Sequence, residues 1–263
     1  MVNPIKYFSI RHHALQYSIR SSCPVIFPYQ CIIIIAHSHI KLHFIRRLPR
    51  GGNAQDVFKN FFTKSFKALK HHAIMKILIA YYSETGNTKH VAEAIYEEAS
   101  KEHDVELVEL QDGSIDALNN SQLAFLGAPC HGGDLAEPLK QFLATLPENP
   151  DFILAGFFTH AVFMPEGTTL RKELYEKWAG KCIPSFESVC QKKTIKFLGY
   201  FHCCGSPSPP VEAFIRQAII PSDEEWKEYL SEIRNHPSSK DLQNARDFAQ
   251  TIIRNLPTEK TSI

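Results

Sequence analysis

The sequence predicts an α/β fold: a doubly wound, five-stranded parallel sheet in strand order 2-1-3-4-5, packed as a three-layer αβα sandwich. Three observations predict it. From Met75 onward, five short apolar runs alternate with segments of helical periodicity. The runs are apolar on consecutive residues, as strands covered on both faces require. A stretch of Ser, Thr, Gly and Asn joins the first strand to the first helix, where a doubly wound sheet opens its ligand crevice.

The elements follow in order. Met75–Tyr82 (MKILIAYY) is the first strand, and Val91, Ala92 and Ile95 mark a helix over Thr88–Lys101. Asp104–Leu110 alternates acidic and apolar residues, as an outer strand does. A short helical turn at Ser114–Asn119 leads to the buried strand Gln122–Pro129. Leu135, Leu139, Phe142, Leu143 and Leu146 form the stripe of a helix over Leu135–Leu146. Phe152–Thr159 is the fourth strand, Thr168–Lys181 a helix opened by paired threonines, and Thr194–His202 the fifth strand. Right-handed crossovers then bring together the loops 83–88, 129–134 and 160–167.

After the fifth strand, residues 205–237 read as an insertion: a Pro-rich loop, a short amphipathic piece at Val211–Ile219, and a helix Asp223–Asn235 with Ser222 and Glu225 as a capping box. Ser239 is the expected cap of a last helix, 239–256, with Leu242, Ala245, Ala249, Ile252 and Leu256 on one face. Residues 257–263 read as a tail.

Charge separates the chain into two parts. Residues 1–74 hold 11 Lys/Arg and one acid, Asp56, whereas residues 75–263 hold 18 Lys/Arg and 27 Asp/Glu. The first part shows no periodicity and reads as a poorly structured extension, with Asn53–Leu69 as a short amphipathic helix. Its apolar patch, Pro24–Ala36, spans 13 residues with two prolines, too short for a membrane span. The expected start of the functional chain is Met75; a presequence or a basic arm are the alternatives. The seven cysteines contain no C-x-x-C pair, and five of them follow residue 75, so a fully paired disulfide framework is excluded there. A reducing, cytoplasmic compartment fits that usage.

The first loop is Ser83-Glu84-Thr85-Gly86-Asn87-Thr88. It lacks the lysine of a nucleotide-triphosphate loop and the G-x-G-x-x-G of a dinucleotide site. Hydroxyls and backbone N–H groups at a helix N-terminus suit a single terminal phosphate. With the apolar strand before it, this loop resembles the phosphate loop of the flavodoxin family, and the resemblance extends as a strand-and-loop pattern over about residues 75–256. It implies a flavodoxin-like fold with FMN as cofactor, its 5′-phosphate held by Ser83 to Thr88.

The resemblance also places Ala128, Pro129, Cys130, His131, Gly132, Gly133 and Asp134 at one edge of the flavin, with Thr159, His160 and Ala161 around its pyrimidine edge. Of these, Pro129, Cys130, His131, Gly132, Gly133, Thr159, His160 and Ala161 are the candidate contacts. Gly132 and Gly133 permit a peptide flip beside the ring or, alternatively, a turn of positive φ. The family usually stacks Tyr or Trp on the ring. Here the loops offer only His131, His160 and Phe163, and an imidazolium there would favour reduced flavin. Cys203 and Cys204 read as buried structural thiols. Neither catalytic residues nor a metal site are expected.

The resulting expectation is an electron carrier working between redox partners, a reductase or a ferredoxin-like protein, as a monomer or homodimer without nucleic acid. The alternative is a flavin-dependent NAD(P)H:quinone reductase, with residues 161–167 or 205–237 walling a substrate pocket. A cofactor-free interaction module is the third class.

Overall fold

A computed structural model describes residues 74–110, 118 and 120–256, together with three earlier strands. The chain divides into two units between His72 and Ala73. In the first, β1 (Leu15–Ser18), β2 (Gln30–Ala36) and β3 (His39–Ile45) form an antiparallel sheet in chain order. These strands lie where the sequence reading expected little structure; the isoleucine run of β2 is strongly β-prone. The helix expected at 53–69 and the tail at 257–263 lie outside the described residues, as does the turn at 114–119 apart from Leu118.

The second unit holds the predicted sheet. Its strands are β4 (Lys76–Tyr81), β5 (Asp104–Glu109), β6 (Leu123–His131), β8 (Ile153–His160) and β9 (Lys196–Cys204), in the order β5-β4-β6-β8-β9. All four neighbouring pairs are parallel, which is the order 2-1-3-4-5. The short β7 (Asp134–Leu135) pairs antiparallel with β6.

Period-two alternation divides the core. Ile77, Ile79 and Tyr81 of β4 face α1 (Asn87–Ala99) and α7 (Ser239–Arg254), where Val91, Ile95, Ala245, Ala249 and Ile252 are buried. Leu78 and Ala80 face the opposite layer, built by Leu139 and Leu143 of α2 (Glu137–Thr145) and by Phe186 and Cys190 of α4 (Cys182–Lys192). This is the expected three-layer arrangement.

Several elements differ from the sequence reading. The helix expected to reach Lys181 ends as α3 (Thr169–Trp178). At Gly180 a Cβ would lie 2.3 Å from the Glu176 carbonyl oxygen, so the chain breaks there and restarts as α4. That second helix escaped notice because it has no side-chain cap and carries Pro184 in its first turn. In the segment after β9, α5 (Pro209–Ala218) and α6 (Asp223–Ile233) are present. Ser222 accepts from the Glu225 N–H at 3.5 Å, and only that half of the expected capping box forms among the described residues. Ser238 rather than Ser239 caps α7, through a reciprocal pair of bonds with Asp241.

Between β8 and β9 the register slips, because Leu198 and Gly199 stand opposite Ala155 alone. Gly199 carries a φ of 113°, the left-handed geometry of a glycine bulge.

Gly127 sits in β6 under the ring of Phe157, where a Cβ would lie 2.2 Å from the nearest ring carbon. Since Phe157 is fully buried, the ring has nowhere to retreat. Gly127→Ala is therefore expected to cost about 1–3 kcal/mol by overpacking, read as a lower urea midpoint at unchanged slope.

Candidate functional site

The site is built at the carboxyl ends of β4, β6 and β8. Its first part is the turn from β4 into α1. Gly86 takes a left-handed φ of 87°, which aims the start of α1 back at the loop. Ser83 Oγ accepts from the N–H groups of Gly86 at 3.2 Å and Lys89 at 3.3 Å, leaving the hydroxyl hydrogen uncommitted. Thr85 Oγ1 accepts from Asn87 Nδ2 at 3.0 Å and likewise keeps its hydrogen. Among the described residues, the N–H groups of Thr85, Asn87 and Thr88 meet no acceptor. Three backbone donors and two hydroxyls thus converge at a helix N-terminus, which is the chemistry that binds a phosphate.

Asn87 and Thr88 hold the loop from behind. Thr88 is buried and shares a 2.8 Å hydrogen bond with the buried Thr159 at the end of β8. Asn87 Nδ2 also donates to the Ser206 carbonyl at 2.7 Å. Gly205 makes room for this, since a Cβ there would lie 2.9 Å from Asn87 Nδ2. Ser206 in turn donates through Oγ to the carbonyls of Arg234 and His236 at 2.7 and 3.0 Å. Sequence reasoning missed Gly205 and Ser206, because they stand 118 and 119 residues from Asn87 and carry no local signal.

The second part is a β-hairpin, closed by the positive-φ turn that the glycines after Pro129 offered as one alternative. The strand continues through Pro129, Cys130 and His131, and pairs back on Asp134 and Leu135. Gly132 and Gly133 form its two-residue turn with φ values of 59° and 93°, both positive as the tight hairpin turn of this hand requires. A Cβ on Gly133 would also lie 2.7 Å from the Lys177 carbonyl oxygen. His131 stands half-exposed at the mouth, with Nε2 3.3 Å from Glu84. Glu84 also accepts from the Tyr82 hydroxyl at 2.8 Å, a bond that raises the phenol's pKa. Cys130 points inward, its thiol 3.0 Å from the Trp178 carbonyl.

The third part follows β8. His160 is buried, its Nδ1 3.0 Å from the Val162 carbonyl and its Nε2 3.0 Å from His202 Nδ1. A carbonyl only accepts, so Nδ1 carries the proton and His202 Nδ1–H donates to His160 Nε2. Burial, then the neighbouring His202, hold the His160 pKa down at about 3. Burial lowers His202 as well. His160 is therefore neutral near pH 7 and serves the interior. Phe163 is likewise inside, edge-on to Tyr229 at 5.5 Å with the Arg171 guanidinium 4.3 Å above its ring.

The space between hairpin and third loop is filled from α3 by Tyr175 and Trp178, packed with Val162 and Cys130. Tyr175 lies 5.2 Å from His160 and 5.3 Å from His202, ring centre to ring centre. Its hydroxyl and the Trp178 Nε1 are buried without a partner among the described residues. Cys203 and Cys204 are buried, and burial pushes the Cys204 thiol up to about 12.

The loops named from sequence are thus brought together: Glu84 meets His131, and Thr88 meets Thr159. A profile of the flavodoxin domain matches residues 78–250. The flavodoxin-like domain-containing protein BilS of Clostridioides difficile (strain CD3) is 29% identical over 185 residues, covering 68% of this chain and 97% of its own. A flavodoxin from the domain Archaea is 18% identical, with a TM-score of 0.44 over 68% of this chain and 97% of its own. A Fusobacterium nucleatum flavodoxin mutant bound to flavin mononucleotide is 16% identical, with a TM-score of 0.37 over 48% of this chain and 68% of that one.

The buried His160 makes stability depend on pH. The unfolded chain binds a proton near the ordinary histidine pKa of about 6.5, while the folded chain resists it down to about 3. Stability is therefore whole above that upper value and declines as pH falls through the window between the two. Between pH 6.5 and 5, wild-type protein is expected to lose about 1–2 kcal/mol more than His160→Gln. Urea unfolding at each pH measures it; equal losses would mean the imidazole is charged in the folded state.

Proposed function

The chain belongs to the flavodoxin domain family, and on that premise we propose that it is an electron carrier, using bound FMN to pass electrons between partner proteins. FMN is the cofactor of this domain, and it supplies reversible one- and two-electron chemistry when bound. The observation that carries the reading is the turn into α1, where three unengaged N–H groups and two free hydroxyl hydrogens converge.

Ser83 and Thr85 donate hydroxyls to the phosphate, and the backbone of Thr85, Asn87 and Thr88 adds charge-assisted bonds at the positive end of the α1 dipole. Asn87 and Thr88 position that backbone through Ser206 and Thr159. Pro129 to Gly133 and Thr159 to Ala161 flank the ring from two sides, with Glu84 and His131 at the exposed rim. Such residues bind, orient and partly shield the flavin, and none is required to act on a bound substrate. The 27 acidic against 18 basic residues after residue 74 favour docking to basic patches on reductases or ferredoxin-like proteins. The compartment this reading favours is the cytoplasm.

Anaerobic redox titration of the FMN-loaded protein tests the proposal: two separated one-electron steps are expected. One two-electron step, with rapid NAD(P)H oxidation by quinone in the absence of a partner protein, would identify a reductase instead. The cofactor reading has its own test. Thr85→Ala with Asn87→Ala is expected to weaken FMN at least tenfold, since the first removes a hydroxyl bond to a charged phosphate, worth roughly 1.5–3 kcal/mol, and the second releases the backbone that Asn87 positions. Fluorescence quenching reads the affinity, and an unchanged value would move the phosphate elsewhere.

A further inference from the structure

The hairpin of β6 and β7 is pinned along its length to the turn between α3 and α4. The Cys130 thiol donates to the Trp178 carbonyl at 3.0 Å. The Lys181 N–H donates to the Gly133 carbonyl at 3.0 Å, and the Ser185 hydroxyl donates to Asp134 at 2.6 Å. Cys182 opens α4 between the last two of these contacts, and its own N–H donates to the Ala179 carbonyl of the same turn at 3.2 Å.

Two free thiols meet there. The Cys182 thiol donates to the Cys130 sulfur, and this bond, then burial, raise the Cys182 pKa. Both side chains pack in one apolar cluster with Leu135, Leu139 and Phe186. Cys190 of the same helix differs, since burial alone raises its pKa, to about 11. The two partners are also unequal. Cys182 is fully buried, whereas Cys130 is half-buried on a strand that reaches the surface one residue later, at His131.

We propose that Cys130 and Cys182 are an oxidant-sensitive pair: a hydroperoxide converts the two thiols into one disulfide that ties the hairpin to α4. The inference stands apart from the FMN reading. Cys130, the thiol nearer solvent, loses its proton, and its sulfur attacks one oxygen of the peroxide. The S–O bond forms, the O–O bond breaks, and the departing oxygen takes up a proton to leave as an alcohol, or as water from hydrogen peroxide. Cys130 is then a sulfenic acid. The Cys182 sulfur attacks it, the S–S bond forms and the S–O bond breaks. Hydroxide leaves with the Cys182 proton as water. The sulfurs have together lost two electrons and the peroxide has gained them. A resolving thiol already in contact completes this step before a second peroxide can carry Cys130 further up the oxidation ladder. The new bond fixes the hairpin that holds His131 at the mouth of the site. Where thiols are kept reduced, such a disulfide is transient and registers oxidant.

The test treats the reduced chain with one equivalent of hydrogen peroxide, alkylates it in urea, digests it and maps the cysteines by mass spectrometry. A peptide linking Cys130 to Cys182 is expected, with an intact chain lighter by two hydrogens and full reversal by dithiothreitol. Cys182→Ser should form no link, and its Cys130 should instead carry a sulfenic acid that dimedone traps. Cys130→Ser should leave Cys182 unmodified at the same dose. The inference is overturned if Cys130 and Cys182 are both still alkylated once the peroxide is consumed, or if another pair links in preference. A Cys130 sulfenic acid that persists in wild type overturns it as well. If a variant does not fold, wild type decides alone, by oxidation before and after unfolding in urea. The link is expected in roughly tenfold higher yield from the folded chain, since a disulfide needs its two sulfurs held at a specific geometry. Equal yields overturn the inference.

Discussion

A parallel sheet covered on both faces has nowhere to put polar chemistry except its ends, and this constraint governs the molecule. Ile77 and Ile79 face one helical layer and Leu78 and Ala80 the other, all buried. Hydroxyls and imidazoles within such a sheet would cost their desolvation unless paired. Toward the carboxyl end of the sheet they are paired with each other: Thr88 with Thr159, His160 with His202 and the Val162 carbonyl. These bonds fix the spacing between the turn into α1 and the end of β8, and the loops around them inherit that spacing.

The segment between β9 and α7 braces the same edge from outside. Ser206 ties it to Asn87 on one side, while Tyr229 reaches Ala161 on the other. Arg171 at the start of α3 grips Glu232 with two bonds of 2.9 and 2.6 Å and adds one to Glu228. A planar guanidinium in this fork geometry specifies direction as well as energy. The segment therefore contacts two of the three loops, although nothing in its own composition announces that task.

Much of this was legible in the sequence because it depends on local pattern. Consecutive apolar residues marked the strands, and the hydroxyl-rich turn marked the start of α1. What escaped depends on distance or on missing punctuation. Helix α4 starts at Cys182 with no capping side chain on Lys181, so only the turn Ala179, Gly180 and Lys181 separates it from α3. The burial of His160 follows from His202, 42 residues away, and no spacing rule links the two. The hairpin at Gly132–Gly133 was half visible: the glycines signalled positive φ, but the pairing of His131 with Asp134 did not show. Likewise, the six-residue loop stood out as a group, while the division between Ser83 and Thr85, with free hydroxyl hydrogens, and Asn87 and Thr88, which brace it, depends on partners far along the chain.

The bond between Asn87 and Ser206 spans 119 residues. A contact of such separation costs loop entropy that is recovered late in folding. During synthesis the strand and helix on either side of the turn emerge early, yet the carbonyl that fixes Asn87 does not exist until all of the second unit's strands and crossovers have been made. Even then, Ser206 is itself anchored to the carbonyls of Arg234 and His236, which come later still. The nascent chain thus carries a turn whose sequence is complete long before its geometry is. The shape of this turn is consequently completed by assembly of the sheet and of the segment that follows it.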